Sequence, residues 1–351
     1  MKCADSFDMV VSVGTIPCRS FEAAMRRREF ISLIGGALAA APGIAQAQPG
    51  KKIPTVAYLW HAGSAKEESP YYEALLEGFS KLGYIDGRDF RLLHRFPNEM
   101  PERFRSMAAE LVSMNIDVLM GGAVASTYLR DATKTIPIVF IFIPDPVGMK
   151  FVQSLARPGG NATGLANFGS DIAGKRLQLF QELIPGLSRI GLLTNSNQEP
   201  TPLTAKIISA AGDQLGLKLQ PFEAHSLDEM EPALDAMVKA GMQAMILAQG
   251  GTGFQARHIL PKLALVRGLP MCSYSRETFE DGALLSYAPD QVEMCRRSAI
   301  YADKILKGAK PSELPVEQPR KLELLINLKT ATALGLKVPL HIQQVADELI
   351  E

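Results

Sequence analysis

The chain has 351 residues, 37 Lys plus Arg against 37 Asp plus Glu, and 47% hydrophobic residues. The balanced charge supplies no basic field for a polyanion, which disfavours nucleic acid as a partner, and the apolar fraction is ample for a folded core, which excludes a disordered chain. The length fits two domains at roughly 100–200 residues each, and the four cysteines, Cys3, Cys18, Cys272 and Cys295, are too scattered for a disulfide scaffold or a clustered metal site.

Residues 25–47 read as an export signal. Arg26, Arg27 and Arg28 form a basic start, residues 30–41 an apolar stretch, and Ala45-Gln46-Ala47 a small-residue cleavage site. The apolar stretch is too short for a bilayer, which takes about 20 residues. Arg27-Arg28-Glu29-Phe30-Ile31 resembles the twin-arginine pattern, so export in the folded state and export by the general route both stay open. Residues 1–24 lack periodicity and sit upstream of this signal, so Met25 is the expected start and 1–24 a gene-start error or a disordered extension. No lipid-accepting cysteine follows the cleavage site, and a soluble periplasmic protein is expected. Cys272 falls in a strand-like stretch and Cys295 in a helix-like one, where buried free thiols are ordinary; a bond between them stays open.

From residue 55 the pattern alternates strands and helices. Residues 55–60 read as a strand, and Leu75, Leu76, Phe79 and Leu82 as a helix closed by Gly83. Residues 90–96 alternate as a strand. Behind Pro101 come Phe104, Met107, Ala108, Leu111 and Val112 at helical spacing, then a strand over 117–120 ending at Gly121-Gly122. Residues 136–143 are a continuous apolar run of the kind a buried parallel strand shows. The order then repeats: Leu215-Gly216, a strand over 217–223, a helix carrying Met230, Leu234, Met237 and Val238, a strand over 244–248, and Gly250-Gly251. Each glycine pair is followed by a helix and a proline-led strand, Pro137 in one half and Pro270 in the other. The expected fold is α/β, with two similar lobes, each a parallel sheet flanked by helices, hinged around a central cleft.

Ligands of open parallel sheets bind beyond the carboxyl ends of the strands. The loops there are 60–64, 121–126 and 144–146 in the first lobe and 195–197, 249–253 and 274–277 in the second, rich in residues suited to a small polar ligand. The candidate ligand contacts are therefore His61, Gly63, Ser64, Gly122, Ala123, Ser126, Asp145, Asn195, Gln249, Thr252 and Glu277. Phe168, Phe254, Tyr274 and Tyr287 are candidates for an aromatic wall. His61 could touch a ligand or sit on the rim, and Asp145, between two prolines, could receive a ligand or cap the turn that follows. Residues 251–256 fit G-x-G-x-x-A, but not on the first βα turn of their unit, where a dinucleotide site belongs. No zinc-protease, nucleophile-elbow, C-x-x-C or Walker motif is present, the five histidines are dispersed, and neither cofactor nor metal is expected.

Residues 154–165, 174–177 and 183–186, with 305–311, 314–319 and 326–331 in the tail, resemble typical segments of a bacterial ABC-transporter substrate-binding family with the type I periplasmic binding protein fold. The resemblance implies a monomeric receptor that closes on a small solute and delivers it to a membrane permease driven by a separate ATPase. Better-understood relatives are linked to aromatic amino acids. At residues 249–253 the sequence departs from the family pattern, which places an acidic residue there in many members, so a charge-based clamp in the second lobe is not implied. On this reading lobe one is 53–163 plus 286–318 and lobe two 164–285 plus 319–351, with crossings near Gly164, Leu285 and Pro319. The rival readings are an α/β enzyme using Asp145 or Glu277 as general base, and a ligand-sensing regulatory domain.

Overall fold

The computed structural model describes residues 53–351 apart from 168, 169, 199 and 320. The export signal over 25–47 with its arginine pair, the extension over 1–24 and Phe168 lie outside the described residues. The first lobe begins β1 (Thr55–Leu59), α1 (Tyr71–Lys81), β2 (Arg91–Arg95), α2 (Pro101–Ser113), β3 (Val118–Gly122), α3 (Ala123–Ala132), β4 (Ile138–Ile143) and β5 (Ala162–Ala166). Its five strands form one parallel sheet in the order β2-β1-β3-β4-β5. The two-residue period of a strand sorts the side chains: Val56, Tyr58 and Trp60 pack on the α1 face, while Ala57 and Leu59 pack with Phe104, Leu111 and Leu129 on the other. Both faces are covered, and this is why the strands read as unbroken apolar runs.

The chain continues with α4 (Ser170–Leu183), β6 (Arg189–Thr194), α5 (Thr201–Gln214), β7 (Lys218–Glu223), α6 (Met230–Lys239), β8 (Ala244–Leu247), α7 (Gly251–Gln255) and α8 (Leu260–Val266). After these come β9 (Met271–Ser273), α9 (Arg276–Glu280), β10 (Leu285–Pro289), α10 (Gln291–Leu306), β11 (Leu322–Asn327), α11 (Leu328–Ala333), α12 (Leu340–Val345) and β12 (Glu348–Ile350). The second sheet runs β12-β11-β10-β9-β8-β6-β7. Its stretch β7-β6-β8-β9-β10 repeats the order of the first sheet, so the internal repeat is realised as topology. β11 then adds antiparallel to β10, with β12 parallel beside it.

Two expected crossings move. Residues 162–166 pair with β4 as the last strand of the first sheet, so the chain leaves after Ala166, slightly beyond the expected point at Gly164. Residues 285–289 pair with β9 and β11 in the second sheet, so the return falls at Asp290 and not near Leu285. Asp290 caps α10 there, accepting the Glu293 N–H at 2.9 Å. The third crossing lies beyond Glu317, whose backbone N–H and C=O bond Gly164 and Ala166 of β5. Two glycines set close approaches. A Cβ on Gly78 of α1 would fall 2.2 Å from the Arg296 carbonyl oxygen of α10, so these helices meet backbone to backbone. Gly164 has φ 150° and lies against the Phe140 carbonyl, a place no side chain fits.

Candidate functional site

The carboxyl ends of both sheets converge on one cavity of about 530 Å³, counting its open mouth. The first lobe contributes Tyr58 and Trp60 from the end of β1, Tyr71 from α1, Gly122 and Ala123 from the β3–α3 turn, and Phe142 from β4. The second contributes Gln249–Gly251 after β8, Phe254 of α7 and Tyr274 after β9. Six aromatic rings thus line it. Phe142 stands at a register shift of β4 against β5 with φ 63°, a bulge in the left-handed region at the cavity wall.

The aromatic floor is fixed by hydrogen bonds below it. Trp60 stacks on Tyr58 at 3.8 Å between centroids and donates its indole N–H to His94 Nδ1 at 3.0 Å. Burial pushes His94 down to about 4, so its ring is a neutral acceptor at physiological pH. Glu68, also on the wall, accepts the backbone N–H groups of His61 and Ala62, each at 2.6 Å, and burial raises its pKa.

His61 joins the two lobes through one intermediary. Its Nε2 donates to the Gly122 carbonyl at 2.8 Å and its Nδ1 faces Glu99 Oε1 at 3.1 Å. Burial pulls the imidazole down, yet the Glu99 carboxylate, with Glu68 and the Gly122 carbonyl, outweighs it and leaves His61 above its ordinary value. Glu99 Oε2 in turn accepts from Gln198 Nε2 of the second lobe at 2.9 Å, and Gln198 Oε1 accepts the Gly251 N–H at 2.9 Å. Nearby, Phe254 lies 5.9 Å from the His61 ring and 6.0 Å from Tyr71. The Arg257 guanidinium sits 3.9 Å over Phe254 and donates to the Glu67 carbonyl of the first lobe. The lobes are therefore in contact across the cleft.

A second cavity, about 490 Å³ with its mouth, shares Gln249, Tyr274 and Gln291 with the first. Its wall includes Asn167, Arg176 of α4 and Thr204 of α5. Arg176 is buried, with Nε and Nη2 both donating to the Tyr287 carbonyl at 3.0 and 2.8 Å.

Of the residues singled out from sequence, His61, Gly122, Ala123, Gln249, Phe254 and Tyr274 share the first cavity. The other described candidates lie outside that cavity. Gly63 and Ser64 belong to a turn closed by Glu67, at 3.2 and 2.9 Å. Ser126 is fully buried, its hydroxyl on the Gly121 carbonyl. Asp145 caps its turn through the Gly148 N–H at 2.8 Å. Asn195 and Thr252 bond each other at 2.7 Å. Glu277 lines a neighbouring hollow beside Tyr71, and Tyr287 packs on the second-lobe core. Sequence reasoning passed over Trp60, Tyr71, Glu99, Asn167 and Arg176. Arg176 carried a signal: it occupies a register with Ile172, Ala173, Leu177 and Phe180, the buried stripe of α4.

Among the described residues no group of three or more His, Cys, Asp or Glu could hold a metal ion, and no helix is long and apolar enough to cross a membrane. Among the described residues Cys272 and Cys295 are free and buried. The sequence matches the profile of the family described as ABC transporter substrate binding protein over residues 63–350. A "Tyrosine-binding protein" of Clostridioides difficile is 24% identical over 276 residues, 77% of this chain and 79% of that one. A Streptococcus pneumoniae ABC domain solved in complex with L-Trp superposes with a TM-score of 0.78 at 24% identity, covering 85% of this chain and all of that one. A conserved domain protein of Vibrio cholerae does so with a TM-score of 0.79 at 26% identity, with the same coverage. The chain belongs to the ABC transporter substrate-binding protein family and has its two-lobed type I periplasmic binding protein fold.

Proposed function

We propose that the protein is the solute-capturing component of an ABC import system, working as a monomer in the periplasm after export by the signal over 25–47. It takes a small carboxylate-bearing solute with an aromatic or branched apolar part, an amino acid or a close relative, and hands it to a membrane permease and its ATPase. The observation that carries this reading is the aromatic cavity between the lobes, whose rings offer flat faces to an apolar body. The name of the Clostridioides relative and the L-Trp held by the Streptococcus one point to the same class.

An enzymatic reading finds less support: the Asp145 carboxylate caps a turn and Glu277 lies off the aromatic cavity. The test is calorimetry of the mature protein with L-tryptophan, L-tyrosine, L-phenylalanine and L-leucine, followed by chemical analysis of the mixture. Saturable binding with the solute recovered intact is expected. Conversion of the solute would refute the receptor reading, and no binding across the set would refute the ligand class.

A further inference from the structure

Arg176 presents a physical problem that the fold leaves unsolved. Only 8% of its surface is exposed, and among the described residues its guanidinium hydrogen-bonds only a backbone carbonyl. Among the described residues no carboxylate pairs with it, and Nη1 has no protein partner. Burial depresses its pKa, the signature of a cation taken out of water without compensation. Such groups are retained where an anion completes them. Asn167, likewise 8% exposed, lines the same cavity. Its Nδ2 donates to Gln249 Oε1 at 3.0 Å, and its Oδ1 is buried with no donor. One cavity is therefore lined by a buried cation with no carboxylate partner among the described residues and by an unused acceptor.

We propose that Arg176 and Asn167 form the charged-head subsite of the cleft, Arg176 taking the ligand's carboxylate and Asn167 Oδ1 its ammonium group, with the apolar side chain reaching past Gln249 and Tyr274 into the aromatic cavity. The proposal rests on the receptor reading above and narrows it to zwitterionic α-amino acids. The two cavities share Gln249, Tyr274 and Gln291, so one small molecule can occupy both. The chemistry fits a carboxylate with a neighbouring donor better than a phosphate, which needs several cations or N–H groups, whereas here a single guanidinium faces a neutral amide. The alternative anchor, the start of α3, is poorly disposed: Ser126 is turned onto Gly121, and the Gly122 carbonyl accepts from His61.

Three probes separate the parts: L-tryptophan, L-tryptophanamide, which lacks the carboxylate, and indole-3-propionate, which lacks the ammonium. In calorimetry the wild type should prefer L-tryptophan to its amide by about 10- to 100-fold, the range for hydrogen bonds to charged groups. Arg176→Gln, which can still donate to the Tyr287 carbonyl, should bind acid and amide alike. Arg176→Lys should keep a reduced preference, and Asn167→Leu should bind L-tryptophan and indole-3-propionate alike. Because each readout is a ratio within one protein, a general loss of affinity does not mimic it, and if Arg176→Gln does not fold, the wild-type ratio and Asn167→Leu decide. A wild type indifferent to amidation, or an Arg176→Gln variant that keeps the full acid preference, would overturn the proposal and leave the receptor reading standing. A wild type that binds none of the three is taken through the same comparison of acid and amide with L-tyrosine, L-phenylalanine or L-leucine, and binding of no amino acid in that set would overturn the proposal together with the ligand class it rests on.

Discussion

Replacing Gly251 by alanine tests lobe closure with a single methyl group. Gly251 is the first residue of α7 and has no left-handed φ, so alanine is locally acceptable and slightly favours the helix. Its Cβ would nevertheless fall 1.9 Å from Glu99 Oε2 and 2.3 Å from Glu99 Cδ, across the cleft in the other lobe. The overlap exists only while the lobes are together. Glu99 is not free to swing away, because its carboxylate holds His61 Nδ1 at 3.1 Å and Gln198 Nε2 at 2.9 Å. Displacing it loses the inter-lobe bond to Gln198, which at about 1.5–3 kcal/mol for a hydrogen bond to a charged group penalises the closed state alone. A ligand held by the closed form then binds about 10- to 100-fold more weakly. Calorimetry with L-tryptophan reads the affinity, small-angle scattering reads closure, and the unliganded melting temperature should stay near the wild-type value. In a Glu99→Ala background the clash is gone, and Gly251→Ala should cost little, so the two changes are strongly non-additive. Unchanged affinity for the single variant, or an equal loss in both backgrounds, would refute the reasoning.

His61 has a folded pKa above its unfolded value of about 6.5, so its contribution to stability is complete below that pH and is lost as pH rises through the folded value. Urea unfolding between pH 5.5 and 8.5 should therefore show stability declining with pH more steeply in wild type than in His61→Gln; parallel curves would contradict this. Gly78→Ala should destabilise by about 1–3 kcal/mol as α1 and α10 are forced apart at the Arg296 carbonyl, visible as a lower urea midpoint; an unchanged midpoint would mean the contact gives way freely. Burial pushes Cys272 up to about 12 and Cys295 well above the usual thiol range, so native protein at pH 8 should resist a thiol reagent and react once denatured. Fast native labelling would show that these sites open. Mature protein from the cell envelope should begin at Gln48, read by N-terminal sequencing; retention of residues before Met25 would refute the signal assignment.

Strands with both faces covered have no polar alternation, and so residues 138–143 or 118–122 could be read directly, as could the repeat of glycine pairs that marks the two lobes. Sheet membership was not legible in the same way. Residues 162–166 and 285–289 fall at the expected chain crossings, and only the long-range register with β4 and β9 assigns them to their sheets. Loop residues at strand ends are hard to read for a different reason. Ser, Asp and Asn side chains satisfy nearby backbone groups as readily as a ligand, and the choice depends on turn geometry that composition does not encode. Ser126, Asp145 and Asn195 went to the backbone or to a neighbour, whereas Phe254 and Tyr274, too large to be absorbed by a turn, reached the cavity. Arg176 was the reverse case, readable as a cation in an apolar stripe but hidden by the expectation that sites lie in loops.

The position of the second cavity ties recognition to motion. Asn167 directly follows β5, and Gln291 directly follows the Asp290 crossing, so two of the three segments that join the lobes contribute to the cavity wall. Among the described residues the direct bonds across the cleft include Glu99 to Gln198, and Arg257 to the Glu67 carbonyl beneath Phe254. Each such bond is worth about 1–3 kcal/mol at most after desolvation, comparable with the cost of ordering the side chains that make it. Bonds of that size are readily supplemented by any further contact that forms only on closure. A solute seated between Arg176 and the aromatic floor, as proposed above, would touch both lobes only when they are closed and would add such a contact. On that proposal the buried guanidinium and the bonds across the cleft are two aspects of one arrangement, in which the ligand completes the closed state.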